Sequence, residues 1–184
     1  SLRSAAGTLP DAQTLANDGQ LASFSFGQGA LTVTPLQITA MMNTVANGGV
    51  YRTPAFVKGI ADSTGAVAAP LEPSAPRTVC DEKTAKVLRS MLVSVVTEGI
   101  GAEARPAAGM AGGKTGTAQT GGKVSNGVFV AFAPYDDPQI AVAIVIEKGG
   151  SGAALASTAV QVLNAYFSNT SASSAITGEN TLLG

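Results

Sequence analysis

The chain has 184 residues, about the size of one ordinary domain, and is 45% hydrophobic but only 12% charged, with the apolar share mostly Ala, Val, Leu and Ile. A packed core of sheet and helix is therefore expected, and disorder of the whole chain is excluded. Eleven basic and twelve acidic residues, dispersed to a net charge of −1, leave no electrostatic footprint for nucleic acid or an anionic membrane.

Residues 1–23, rich in Ala, Gly, Asp and Asn without periodicity, read as a loop leading into the domain. Thr34-Pro35-Leu36-Gln37 is a helix start: Thr34 caps, Pro35 suits the first helical position, and Gln37 closes a capping box. Ile38, Met41, Met42 and Val45 line one face of that helix until Asn47-Gly48-Gly49 ends it. Val50 to Ile60 reads as extended chain broken at Pro54 and finished by Asp62-Ser63-Thr64-Gly65, before a Pro-rich connection from Pro70 to Pro76.

Asp81 and Glu82 favour the positive end of a second helix, over 81–98, with Ala85, Leu88, Met91, Leu92 and Val95 at helical spacing. Cys80, just before it, is read as a small residue near a helix start, because nothing nearby marks the electropositive pocket a reactive thiol needs. A Gly/Ala-rich loop over 99–113 leads to a strand at Lys114. Two β-branched runs, Val128–Ala133 and Ile140–Ile146, are joined by the turn Pro134-Tyr135-Asp136-Asp137-Pro138 as a hairpin. Both are apolar at successive positions, which predicts a sheet covered on both faces. Gly152–Phe167 has the composition of a buried, Ala-rich helix, and 168–184 that of a flexible tail.

Chemistry is restricted by what is missing. With no histidine and a single Cys80, neither a His/Cys metal cluster nor an internal disulfide can form, no cofactor is indicated, and catalysis falls to Ser, Thr, Lys, Asp or Glu. The most informative stretch is Gly112-Gly113-Lys114-Thr115-Gly116-Thr117-Ala118-Gln119, where a lysine, two hydroxyls and flanking glycines suit the binding of an anion. In a regular strand Lys114 points to one side and Thr115 and Thr117 to the other, unless a twist or bulge brings them together. Gly116 permits a ligand's backbone to lie close, and an exposed Thr117 amide can donate to a developing oxyanion.

Several separate stretches carry a resemblance to the transpeptidase domain of penicillin-binding proteins, over residues 24–167. Phe26-Gly27-Gln28-Gly29, Val33-Thr34-Pro35-Leu36-Gln37 and Ala46-Asn47-Gly48-Gly49 are similar to that family's middle segment, and Gly113–Gln119 resembles its Lys-Thr-Gly signature. The resemblance implies that Lys114, Thr115, Gly116 and Thr117 bind the terminal carboxylate of a peptidoglycan stem peptide or of a β-lactam, with Lys114 and Thr117 also in catalytic roles. Thr117 would lend its amide to the oxyanion hole. For Gln28 and Asn47 a turn amide and a helix-terminal residue are sufficient readings.

The departures matter as much. No serine has a lysine three positions later and no Ser-x-Asn occurs, so the family's nucleophile is absent; Thr120-Gly121-Gly122-Lys123 has the spacing but reads as a Gly-rich turn. The chain is therefore expected to be the C-terminal part of a longer transpeptidase, inactive alone, whose parent is anchored in the bacterial membrane and works on its extracytoplasmic face. Three other readings stand beside this one. A P-loop is weakened by Ala108 where glycine is needed. A β-lactamase or D-alanyl carboxypeptidase relative would differ mainly upstream. A non-catalytic peptidoglycan-binding or scaffold module needs no nucleophile. The expected architecture is α+β: an antiparallel sheet carrying Lys114, the Val128 hairpin and a fourth strand, with the C-terminal helix on one face and the helices at 34–48 and 81–98 on the other. Uncovered sheet would invite homo-oligomerisation.

Overall fold

The computed structural model describes residues 5–57, 59–70, 72–99, 106 and 109–172. In chain order its elements are α1 (Ala12–Leu15), α2 (Asp18–Ser25), α3 (Pro35–Ala46), β1 (Val50–Tyr51), β2 (Gly59–Ala61), β3 (Val67–Pro70), β4 (Arg77–Thr78) and α4 (Glu82–Thr97). There follow β5 (Gly112–Ala118), β6 (Asn126–Ala133), β7 (Ile140–Ile146), a 3-10 turn (Gly152–Leu155) and α5 (Ala156–Ala172).

The central sheet is antiparallel in the order β5-β6-β7, and Lys114 pairs with Val130, Thr115 with Phe129 and Thr117 with Gly127. Only three strands join it among the described residues, so the fourth strand expected from the sequence is not found there. The chain from 50 to 78 instead closes on itself in two small antiparallel pairs, β1 with β4 and β2 with β3. Asp62 is the reason for the second: its carboxylate accepts from the Thr64 and Ala66 amides at 2.8 and 3.2 Å, which turns the chain sharply after β2.

β6 divides the core. Phe129, Ala131 and Ala133 face one way and pack with Leu155, Ala156, Ala159 and Leu163. Val130 and Phe132 face the other way against Met42 and Ala46 of α3, with Leu92 of α4 alongside. Alternating side chains thus bury both faces, as the unbroken apolar runs require. Phe129, Phe132 and Leu163 are fully buried, each contributing about 1.5–3 kcal/mol by burial.

Helix starts follow their caps. Thr34 accepts from the Gln37 amide at 3.2 Å while Gln37 Oε1 accepts from the Thr34 amide at 2.8 Å, completing the expected box. Asp81 caps α4 by accepting from the Thr84 amide at 2.6 Å. The stretch read as a loop before residue 24 instead holds α1 and α2, capped by Asp11 and Asn17, whose carboxylate and amide oxygens accept from Thr14 and Gln20. Neither helix buries a residue, which explains why no apolar periodicity announced them. At the other end α5 runs to Ala172, past the expected stop at Phe167, and residues 173–184 lie outside the described residues.

Candidate functional site

Two glycines bring α4 onto β5. A Cβ at Gly112 would enter the Phe132 ring and approach Leu92 Cβ at 3.2 Å, and one at Gly113 would meet Phe129 Cζ at 3.0 Å and Val96 Cγ2 at 3.3 Å. Both glycines are buried. They are packing residues beneath two phenylalanines, a role that the sequence reading of them as glycines flanking an anion site did not include.

Beyond them the strand emerges into solvent, with Lys114 and Thr117 exposed and Thr115 and Gly116 half-buried. The β5–β6 register runs without a bulge, so Lys114 leaves on the α3 face and Thr115 and Thr117 on the α5 face. Side-chain length overcomes the separation: Lys114 Nζ curls round to donate to the Thr115 carbonyl at 2.8 Å. On the α5 face, Gly152 lies against the backbone of Gly116 and Val128. The Cβ that Gly116 lacks would point the other way, to Val128 Cβ at 3.4 Å, so it is the missing Cβ of Gly152 that lets the 3-10 turn sit against this strand.

The edge of β5 away from β6 pairs with no strand among the described residues. Gln28 reaches it from 89 residues away: its Nε2 donates to the Thr117 carbonyl at 3.0 Å. The N–H and C=O of one strand residue leave on the same edge, so the Thr117 amide lies along this open side, as does that of Thr115. Sequence reasoning treated Gln28 as a turn amide and missed this contact; the only hint was a glutamine flanked by two glycines. Asn47, by contrast, makes the local bond expected of it, donating to the Val50 carbonyl at 3.1 Å.

Other features do not join this edge. A hollow of about 240 Å³ sits beside α3 at Leu36, Asn43 and Arg52, and one of about 490 Å³ lies at Asn47, Cys80, Asp81 and Arg89. Neither is lined by residues 114–117, whose outward groups lie along the open strand edge. Cys80 is free and half-buried, with its thiol and carbonyl close against Gly49. Hydrogen bonds from Thr84, side chain first and then backbone, hold the Asp81 carboxyl below its ordinary value. No helix among the described residues is long and apolar enough to cross a membrane.

The arrangement offers one ammonium, two hydroxyls and two outward amides along an unpaired edge. A family model, the penicillin binding protein transpeptidase domain, matches residues 3–167. The chain belongs to that family. Its match begins well before residue 24, taking in α1 and α2.

Among curated relatives, the stage V sporulation protein D of Bacillus subtilis is 38% identical over 69% of this chain and 21% of its own length. The peptidoglycan D,D-transpeptidase MrdA of Acinetobacter baumannii is 30% identical over 79% of this chain and 24% of its own. Penicillin-binding protein A of M. tuberculosis, solved as an imipenem acyl-enzyme complex, superposes with a TM-score of 0.80 at 26% identity, covering 90% of this chain and 37% of that one. Penicillin-binding protein 3 of the same organism, complexed with aztreonam, gives 0.78 at 26% identity, covering 91% and 41%. This penicillin-binding protein chain therefore spans about a fifth to a quarter of the curated relatives it matches.

Proposed function

We propose that this chain supplies the carboxylate-binding and oxyanion strand of a peptidoglycan D,D-transpeptidase. The observation that carries the reading is the open β5 edge, where Lys114 Nζ reaches the Thr115 carbonyl and the Thr117 amide faces outward. An extended stem peptide ending in a carboxylate suits such an edge, adding as a strand while Lys114, Thr115 and Thr117 hold its terminus across Gly116. Thr117 N–H would then supply half of an oxyanion hole. β-Lactams, which occupy the related solved structures, would bind in the same place.

The reaction assigned to the whole enzyme is acyl transfer at D-Ala-D-Ala. A serine hydroxyl gives its proton to a lysine amine and attacks the penultimate carbonyl; the C–N bond breaks and D-Ala leaves carrying that proton. An amine of a neighbouring stem peptide next attacks the ester, forming the cross-link amide and returning a proton to the serine. No serine here is followed by lysine three positions later, so this chain alone is assigned binding without acylation. The whole enzyme would work at the extracytoplasmic face of the bacterial membrane.

Intact-mass analysis tests this. The chain is incubated with a reactive penicillin, alone and mixed with a polypeptide carrying Ser-x-x-Lys and Ser-x-Asn. Mass gain only in the mixture is expected. Labelling of the chain alone would place a nucleophile within it, and no labelling in either sample would favour the binding-module reading. The outer edge of β7, unpaired among the described residues, also makes self-association an expected property, read by light scattering.

A further inference from the structure

We infer that Gln28 is a positioning residue that locks the Thr117 end of the β5 edge, and that the Phe26–Gly29 turn serves to aim its side chain there. The inference rests on the proposed reading of that edge as the carboxylate and oxyanion site. Gln28 Nε2 lies 3.0 Å from the Thr117 carbonyl, a contact between residues far apart in the chain. The turn that presents it holds both flanking glycines in the left-handed region, Gly27 at φ 80° and Gly29 at φ 77°. Gln28 N–H donates to the Ser23 carbonyl at 2.9 Å, and Gly27 N–H to Phe24 at 3.0 Å, so the turn is tied to the end of α2. A Cβ at position 29 would also press on Ser23 Cβ at 3.3 Å. The turn does not exist to bury its aromatic, for Phe26 is 71% exposed while Gln28 is half-buried.

Strand β5 needs such an anchor where it stands. Thr117 is the next-to-last residue of β5, and the six residues from Gln119 to Val124 are all exposed. A strand end paired on one side frays readily, whereas an amide that stabilises developing charge must hold its place to within about 0.5 Å. The β6 ladder holds one side of the strand and Gln28 the other. Because a carbonyl oxygen has two lone pairs, the Gln28 bond leaves Thr117 able to accept a second N–H from an incoming chain.

The test compares the unsubstituted chain with Gln28→Ala and with Gln28→Glu, which keeps shape but loses the donor. Amide hydrogen exchange by NMR is read on the chain itself, and the penicillin acylation rate in the mixture with the nucleophile-bearing polypeptide. One hydrogen bond's worth of fraying should speed exchange of the inward-facing Gly116 and Ala118 amides by about two- to tenfold in both variants, leaving Gly112 and Lys114 unchanged. The acylation rate constant should fall by about tenfold or less with the half-saturating penicillin concentration unchanged. Unchanged exchange, a uniform rise across β5–β7, or wild-type behaviour of Gln28→Glu would each overturn the inference. So would local fraying without slower acylation. If the unsubstituted mixture is never labelled, the transpeptidase reading itself fails and the positioning role falls with it. Labelling indifferent to both substitutions removes the positioning role alone.

Discussion

Gly152→Ala puts the coupling between the C-terminal helix and the Lys114 strand to a direct test. Gly152 is buried, and an added Cβ would fall on the carbonyl oxygens of Gly116 and Val128 and lie 2.8 Å from the Gly116 nitrogen. These are backbone atoms of two paired strands, so no rotamer change can make room. Either the 3-10 turn lifts away, drawing Leu155 and Ala156 out of the core, or β5 shifts at Gly116. Overpacking typically costs about 1–3 kcal/mol, and a backbone clash belongs at the upper end, about 3 kcal/mol. For a domain of this size that lowers Tm by about 6–12 °C, at roughly 2–4 °C per kcal/mol. Gly122→Ala is the matched control, since its Cβ would meet only Thr120 Oγ1 at 3.9 Å and should change stability by less than about 0.5 kcal/mol. Thermal unfolding followed by circular dichroism decides the matter. A Gly152→Ala midpoint within about 1 °C of wild type would refute the argument.

Phe129→Ala removes a fully buried ring shared by the sheet, α4 and α5 and should destabilise by about 3–5 kcal/mol, seen as a lower urea midpoint at unchanged slope. The Asp81 carboxyl is held below its ordinary value of 3.8 by its bonds from Thr84. A lowered folded pKa contributes stability that is present above the ordinary value and lost as pH falls through the folded one. Helix content should therefore drop on acidification below about pH 4, and Asp81→Ala should flatten that part of the pH profile. Asp11 and Asp62 are shifted in the same direction by Thr14 and Thr64, and add to the same acid limb. Lys114→Ala should reduce penicillin labelling of the complemented mixture by about tenfold or more, the value of a charge-assisted bond to a carboxylate.

What could be read from the sequence was what is local. The Thr34–Gln37 box and the 134–138 turn each lie within five residues, and the structure forms both as expected, along with a helix starting at the Asp81-Glu82 pair. Apolar cover on both faces of the hairpin was also readable, because a strand with no polar face needs partners on each side; β6 is buried and β7, the outer strand, half-buried. Contacts that join distant residues were not. Gln28 and Thr117 meet only because α2 ends near the C-terminal end of β5, and no periodicity in either segment encodes that meeting. Gly112 and Gly113 read with Lys114 as glycines flanking an anion site, because glycine next to lysine carries the same letters there as under a phenylalanine ring. The α1 and α2 helices failed for the opposite reason: local caps formed them without any buried face to signal helix.

An exposed strand edge is ordinarily a liability, since unpaired carbonyls and amides recruit any extended chain. On β5 two carbonyls facing the open side are already engaged, Thr115 by Lys114 and Thr117 by Gln28. Both caps are side-chain donors, so each satisfies an oxygen without pairing the amide of the same residue. The edge is left asymmetric: its acceptors are partly satisfied, while among the described residues its outward N–H groups pair with no strand and face an incoming chain with carbonyl oxygens or a negative terminus. Lys114 adds the only positive charge within the Gly112–Gln119 stretch. On the proposed reading, an indiscriminate template for strand pairing would thereby become selective for a chain that ends in a carboxylate. Among the described residues β7 pairs with no strand on its outer side and Ile146 at its end is 44% exposed, so any self-association should run through β7 and spare the Lys114 edge. Charged substitution at Ile146 should then suppress it without altering penicillin labelling, and loss of labelling in that variant would show that the two edges are not independent.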